Sequence, residues 1–205
     1  MARVTVKTSV EMWFDPICPW AWLTSRWLME VEQVRDVEVT WSVMSLAVLN
    51  DGRELPAEYS STMERSWGPV RVIVAAARDH GPGVIKPLFD AMGTRIHLHG
   101  EEDYLQVISA ALQEIGLPAD LLRFATSSDV DDDVRVSHDR AIALVGEDVG
   151  TPVIAMAGSA FFGPVVTPAP KGEAAGRLWD GWALMAGTPG FFELKRTRTQ
   201  RPMFD

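Results

Sequence analysis

The chain predicts an α/β fold whose two halves are separated by an inserted block of helices. Three observations carry this. The opening reads β-α-β, with an apolar run at 10–15, helical periodicity over 19–34 and period-two alternation from Val37 to Val43. Between about Asn50 and Ser128 only helical periodicities occur. A further helix, two short apolar runs led by Thr151-Pro152 and a last helix complete the order.

Each element has a local reason. Val10-Glu11-Met12-Trp13-Phe14 is rich in β-branched and aromatic residues and stops at the breaker Asp15-Pro16, which predicts a buried central strand. From Pro19 to about Val34, the apolar set Trp20, Leu23, Trp27, Leu28, Val31 and Val34 follows helical spacing and predicts one face packed on a sheet. Val37, Val39, Trp41 and Val43 then alternate with Glu38, Thr40 and Ser42. Beyond Asn50 the punctuators Gly52, Trp67-Gly68-Pro69, His80-Gly81-Pro82-Gly83, His99-Gly100 and Ile115-Gly116-Leu117-Pro118 divide the block into helices near 56–66, 70–79, 84–96, 102–115 and 118–125. This gives a helical subdomain at 50–128 inside a single domain, 1–205.

Ser127-Ser128 followed by Asp129, Asp131, Asp132 and Asp133 predicts a capped helix start, the acidic groups favoured by the positive dipole end, and the helix runs to about Glu147. Thr151-Pro152-Val153-Ile154-Ala155-Met156 and Ala160-Phe161-Phe162, parted at Ala157-Gly158, predict a hairpin. Pro152 is tolerated at a strand's first residue, and an X-Pro bond in such a turn is a candidate for the cis form. Residues 171–187 predict the last helix, carrying Leu178, Trp179, Trp182 and Met185.

Bulk properties narrow the function. A chain of 205 residues with 47% hydrophobic content can bury a full core without a metal or disulfide staple. Its formal charge of −9 and pI near 4.9 disfavour phosphate backbones and anionic lipid, so a small molecule or a protein is the expected partner, not nucleic acid or membrane. One cysteine excludes an intramolecular disulfide. The first dozen residues, with Arg3, Lys7 and Glu11, hold no apolar run of signal-peptide length, so the expected location is the cytoplasm.

That cysteine is the centre of the reading. Cys18 lies between the first strand and a helix whose first turn Pro19 presets, and so falls at a helix N-terminus. Unpaired N–H groups and the helix dipole there favour thiolate and can draw a cysteine pKa from ~8.5 to ~3.5–7.5. Cys18 is therefore the candidate nucleophile. Trp20, at the helix tip, can stack on an aromatic substrate, whereas Trp22 and Trp27 belong to the core. Asn50, Trp67, His97 and Met156 are candidates for lining the cleft between scaffold and insertion. His97 and His99 lack Cys or carboxylate at ligand spacing, so no zinc site is expected. Thr24 and Ser25 lie too far along the helix to replace the thiol. Lys195, Arg196, Arg198 and Arg201 form a basic tail, either solvated, clasping a dimer, or meeting an anionic substrate, and apolar Phe191-Phe192 makes a homodimer conceivable.

The order of elements is that of a thioredoxin fold with a helical insertion, and it resembles the DsbA family. Cys18-Pro19-Trp20-Ala21 stands where that family carries Cys-x-x-Cys, and Thr151-Pro152 where it carries the cis-proline facing the active-site sulfur. Trp13-Phe14-Asp15-Pro16, Thr24-Ser25-Arg26-Trp27, Ser66-Trp67-Gly68-Pro69-Val70-Arg71-Val72, Gly146-Glu147-Asp148-Val149-Gly150-Thr151-Pro152 and Phe191-Phe192-Glu193-Leu194-Lys195-Arg196-Thr197-Arg198-Thr199 resemble the mycothiol-dependent nitroreductase branch.

The resemblance implies an oxidoreductase with no tightly bound cofactor. Its co-substrate would be mycothiol or a similar small thiol, and its substrates disulfides or electrophilic nitroaromatics. It places Pro152 opposite Cys18, with the Thr151 carbonyl and Val153 amide facing substrate. The branch usually has Cys-Pro-Trp-Cys; here Ala21 replaces the second cysteine, so a mixed disulfide on Cys18 needs an external thiol for release. Two alternatives stay open. One is a kappa-class glutathione-transferase-like or isomerase-like enzyme, where one residue at the helix start positions a thiol. The other is a binder without turnover.

Overall fold

The computed structural model describes residues 7–204. Residues 1–6, on which the reading of the chain's start partly rests, and Asp205 lie outside the described residues. Strand β1 (Thr8–Phe14) leads through helix α1 (Pro19–Val34) to β2 (Val37–Val43), which pairs with it in parallel from Thr8↔Val37 to Phe14↔Val43. A turn of helix, α2 (Leu46–Leu49), follows. Then come α3 (Ala57–His80), α4 (Ile85–Gly93) continuing into a wide helical turn (Thr94–Leu98), α5 (Tyr104–Glu114) and a 3₁₀ segment (Ala119–Thr126). The chain returns through α6 (Asp131–Val145) to the hairpin β3 (Val153–Met156) and β4 (Ser159–Phe162), and ends its regular structure in α7 (Gly172–Ala186). The sheet order is β2-β1-β3-β4, with β3 antiparallel to both β1 and β4.

The alternation of β1 separates the two faces of the sheet. Val10, Met12 and Phe14 enter a large core with α1, α7 and the inserted helices, while Trp13 joins Met44, Leu49, Ala141 and Val153 under α6. On the α1 side, the Trp27 Nε1–H donates to the Ala175 carbonyl at 3.1 Å, and the Arg35 guanidinium is shared between Glu173 and Asp180 of α7. Both carboxyls are held below their ordinary range by that guanidinium.

Two helical readings are corrected. The breaks at 67–69 do not occur, for α3 runs unbroken through Pro69. Pro69 removes one helical donor, yet α3 is held from outside: a Cβ on Gly68 would lie 3.4 Å from the Ala125 carbonyl, so the Gly-Pro pair marks a close approach of α3 to the 119–126 segment. The helix expected to begin at Ser127-Ser128 begins at Asp131, with no side-chain cap, and Ser127 Oγ instead accepts from the Asp129 N–H in a turn. Asp131, Asp132 and Asp133 occupy its first turn as charge complement to the dipole. Asp131 also forms a bidentate pair with Arg71 at 2.6 and 2.8 Å, tying α6 to the inserted helices.

Candidate active site

Three elements meet at Cys18. It is the N-cap residue of α1 in extended conformation, its N–H donating to the Asp15 carbonyl and its carbonyl accepting from Trp22, each at 3.0 Å. Pro19 enters the first turn, where a missing N–H costs no bond. Thr151, just ahead of β3, comes from the far end of the chain. Its carbonyl oxygen lies 3.3 Å from the Cys18 sulfur, which donates to it, and its hydroxyl accepts from the Asp15 N–H at 3.2 Å. The Thr151–Pro152 bond is cis. The Pro152 carbonyl accepts from the Gly163 N–H at 2.8 Å, and Thr24 Oγ1 donates to the Pro164 carbonyl at the same distance, which anchors the hairpin to α1.

The electrostatics correct one expectation. A helix N-terminus should lower the thiol pKa, yet burial of Cys18, 6% exposed, pushes it up to about 12. The N–H groups of Ala21 and Trp20 and the charge of Arg198 pull it down, while the Asp15 charge adds to the rise. Full burial can move a pKa by 3–5 units, whereas a helix terminus is worth up to about 2 kcal/mol, so desolvation prevails.

Asp15, which reads in the sequence only as a strand breaker, is a fully buried carboxyl. Oδ1 accepts from the Ile17 N–H at 3.0 Å and Oδ2 from the Leu46 N–H at 2.7 Å. Burial raises it to about 7 against the pull of those two donors.

The other candidates divide. Half-buried His97 lies at the site: its Nε2 is 2.9 Å from the Pro16 carbonyl, and burial lowers it to about 4. The ring is thus neutral at pH 7 and, facing an oxygen that can only accept, carries its proton on Nε2. Asn50 caps α2, donating to the Leu46 carbonyl at 2.8 Å, and bonds to Tyr59. Tyr59 and Tyr104, whose hydroxyls are raised chiefly by burial, both feel the Asp15 charge, and Tyr59 that of Cys18. No local pattern in the sequence distinguishes these two tyrosines from surface residues. Trp67 sits instead beneath the Arg71 and Arg135 guanidinium groups, 4.7 and 5.6 Å from its ring centroid, on the α6 side. Met156 pairs with Val10 and Ser159 at the end of β3 remote from Pro152.

The basic tail is folded back. Phe191 meets Phe161 with ring centroids 5.7 Å apart, the Arg198 guanidinium lies 5.3 Å from the Trp20 ring, the Met203 N–H donates to Thr167 Oγ1 at 2.8 Å, and Phe204 reaches His97 at 5.6 Å. One face of the Trp20 ring is therefore occupied by Arg198. Among the described residues, no cluster of three or more His, Cys, Asp or Glu could hold a metal ion, and no helix is long and apolar enough to cross a membrane.

A lone thiol at the start of α1, set against the residue before Pro152 in a thioredoxin fold with a helical insertion, defines a DsbA-like protein of the thiol–disulfide oxidoreductase type. The family described as "Mycothiol-dependent nitroreductase Rv2466c" matches residues 17–196, and the chain belongs to it. The uncharacterized protein Rv2286c of Mycobacterium tuberculosis is 31% identical over 197 residues, 94% of this chain and 83% of that one. Two solved structures share the fold at low identity. A probable DsbA oxidoreductase from Streptomyces coelicolor superposes with TM-score 0.59 at 19% identity, over 94% of each chain. A 2-hydroxychromene-2-carboxylate isomerase superposes with TM-score 0.57 at 14% identity, over 86% of this chain and 94% of its own.

Proposed function

We propose that the chain is a monothiol oxidoreductase of the cytoplasm in which Cys18 exchanges with mycothiol and reduces disulfides or electrophilic nitroaromatics. The observation that supports this most is the seat of the Cys18 sulfur, at the N-terminus of α1 and 3.3 Å from the Thr151 carbonyl oxygen. Family membership supports mycothiol as that thiol. Cys18 gives up its proton, and its sulfur attacks one sulfur of a disulfide; a mixed disulfide forms and the other sulfur leaves as a thiolate. With Ala21 in place of a resolving cysteine, an external thiolate attacks that mixed disulfide and releases Cys18. For a nitro compound, two thiols become a disulfide and deliver two electrons and two protons, yielding the nitroso compound and water. Pro19 and Ala21 shape the turn, Trp20 forms a wall, and the edge of Thr151-Pro152 faces substrate, with Asn50 and His97 nearby. We take residues 50–128 as a helical subdomain of one domain. A homodimer would cover the exposed Leu184, Phe192 and Leu194.

Intact mass after incubation with mycothiol disulfide tests the exchange. One mycothiol adduct, absent from a Cys18→Ala variant, is expected. An unmodified wild-type chain overturns the reading.

A protonated thiol that acts as a hydrogen-bond donor favours a second reading, a transferase or isomerase related to the kappa class, with Cys18 donating to a bound thiolate. Turnover with thiol and substrate but no net oxidation of the thiol would identify it.

A further inference from the structure

The end of the chain crosses the turn that carries the thiol. Residues 191–204 form neither helix nor strand, yet contacts along their length fix them in place. The Phe191 ring meets Phe161 of β4, and the Arg198 guanidinium lies 5.3 Å from the Trp20 ring. The Met203 N–H donates to Thr167 Oγ1 at 2.8 Å in the loop after β4, and the Phe204 ring lies 5.6 Å from that of His97. Trp20 follows Cys18 by two residues, while His97 binds the carbonyl of Pro16, two residues before Cys18. Residues 198–204 therefore run from one flank of the thiol turn to the other, and the charge of Arg198 is felt at the sulfur itself.

The sulfur beneath is 6% exposed and faces the Thr151 carbonyl, whereas exchange with a disulfide needs a second sulfur to reach it. Something must move. The start of α1 and the residues around Thr151 are built into the core, with Ala21, Trp22, Thr151 and Ile154 buried. The end of the tail rests on the surface, where Met203 and Phe204 stay 41% and 36% exposed, so lifting it uncovers little apolar area. A segment held by a few local contacts, without a ladder or a packed face, belongs to the part of a structure that opens first.

We propose that residues 191–204 are a strap that closes over Cys18 and lifts from Trp20 and His97 to admit any reactant larger than a small electrophile. Arg198 rides on the strap, so closure sets a cation beside the thiol and opening withdraws it. The strap is self-inhibitory and acts on access, whichever thiol or disulfide Cys18 meets. By linkage, a bulky group on Cys18 favours the lifted state to the same degree that lifting favours its attachment.

The test uses N-ethylmaleimide and N-pyrenylmaleimide, which share one electrophile and differ in bulk, so the ratio of their rates at Cys18 is independent of how far the thiol is ionised. Phe204→Ala and Thr167→Val, which remove the aromatic contact to His97 and the acceptor for the Met203 N–H, should each raise the pyrenyl-to-ethyl ratio by about two- to tenfold. Intact mass reads the adduct, Cys18→Ala is the blank, and unchanged circular dichroism verifies the fold of each variant. A second arm follows trypsin through release of residues 199–205, because cleavage after Arg198 tracks the lifted population. Wild type carrying the pyrenyl adduct should release that peptide about threefold faster or more than unmodified wild type. A ratio unmoved in both variants, or equal release with and without the adduct, overturns the strap. Neither arm uses a thiol co-substrate, so that failure leaves the exchange reading standing.

Discussion

The Cys18 sulfur and the main-chain oxygen of Thr151 stand 3.3 Å apart, with the thiol donating. A thiolate has no proton to give, so ionisation removes this bond and leaves a buried carbonyl facing a buried anion. The resting site therefore holds a masked thiol, and the neighbouring charges set how much thiolate it releases.

Alkylation of Cys18 by iodoacetamide should accordingly be much slower at pH 7 than for free cysteine, and should still be climbing above about pH 9, since burial holds the thiol near 12. Asp15→Asn removes the negative charge that raises it and should speed alkylation at pH 8 by about threefold or more. Arg198→Met removes the positive charge and should slow it, with Arg198→Lys close to wild type. A wild-type rate that levels off by about pH 8 would contradict the masked thiol.

Asp15 and His97 also make stability depend on pH, in opposite directions. Asp15 is near 7 folded and about 3.9 unfolded, so the folded chain holds its proton longer. Its contribution is intact below about pH 4 and is lost as pH rises through 7, by up to about 4 kcal/mol. His97 is near 4 folded and about 6.5 unfolded, so its neutral burial costs stability as pH falls from about 6.5 to 4. Because the two windows overlap between about pH 4 and 6.5, the slopes largely cancel in wild type, so urea midpoints from about pH 4 to 8 should show Asp15→Asn losing stability towards acid pH and His97→Gln losing it as pH rises to about 7. Parallel curves for wild type and Asp15→Asn would contradict the buried carboxyl.

Where local pattern governs, the sequence is readable. The alternation of Val37 to Val43 and the helical spacing from Trp20 to Val34 led directly to β2 and α1, because one face of each must be buried. Trp67-Gly68-Pro69 misled because a contact with Ala125, far along the chain, overrides the local cost of proline. In the site, Cys18 and Pro152 stand out through their neighbours. The contact of Cys18 with Thr151, the bond from the Asp15 N–H to the Thr151 hydroxyl and the approach of Arg198 to Trp20 join segments more than a hundred residues apart, and no spacing in the sequence encodes them.

Two glycines of helices should behave in opposite ways. A Cβ on Gly93, at the end of α4, would lie 2.3 Å from Cε3 of Trp22, a ring buried against Phe89 and His97. Gly93→Ala should cost about 1–3 kcal/mol or more through overpacking. A Cβ on Gly181, in α7, meets nothing within 4 Å, and Gly181→Ala should stabilise by about 0.5–1 kcal/mol through helix propensity. Chemical denaturation reads both, and a neutral Gly93→Ala would show that α4 and α1 are not packed at this contact.

Ala21→Cys asks whether the missing second thiol alone limits the chemistry. Ala21 lies one helical turn after Cys18 and is fully buried, and its N–H already reaches the Cys18 sulfur. A thiol there would be held in the same turn as a mixed disulfide on Cys18 and would resolve it internally. Intramolecular attack replaces dependence on external thiol with an effective concentration in the millimolar range or above. The variant should therefore lose two hydrogens on mild oxidation, show no titratable thiol when denatured in that state, and clear a Cys18 adduct at least about tenfold faster than wild type at ~0.1 mM external thiol. The added sulfur enters a filled position and should lower stability by about 1–3 kcal/mol, which thermal melting separates from loss of the fold. A folded variant that forms the internal disulfide yet reduces no disulfide substrate would mean that the site binds thiols without turning them over, and the oxidoreductase reading would fall with it.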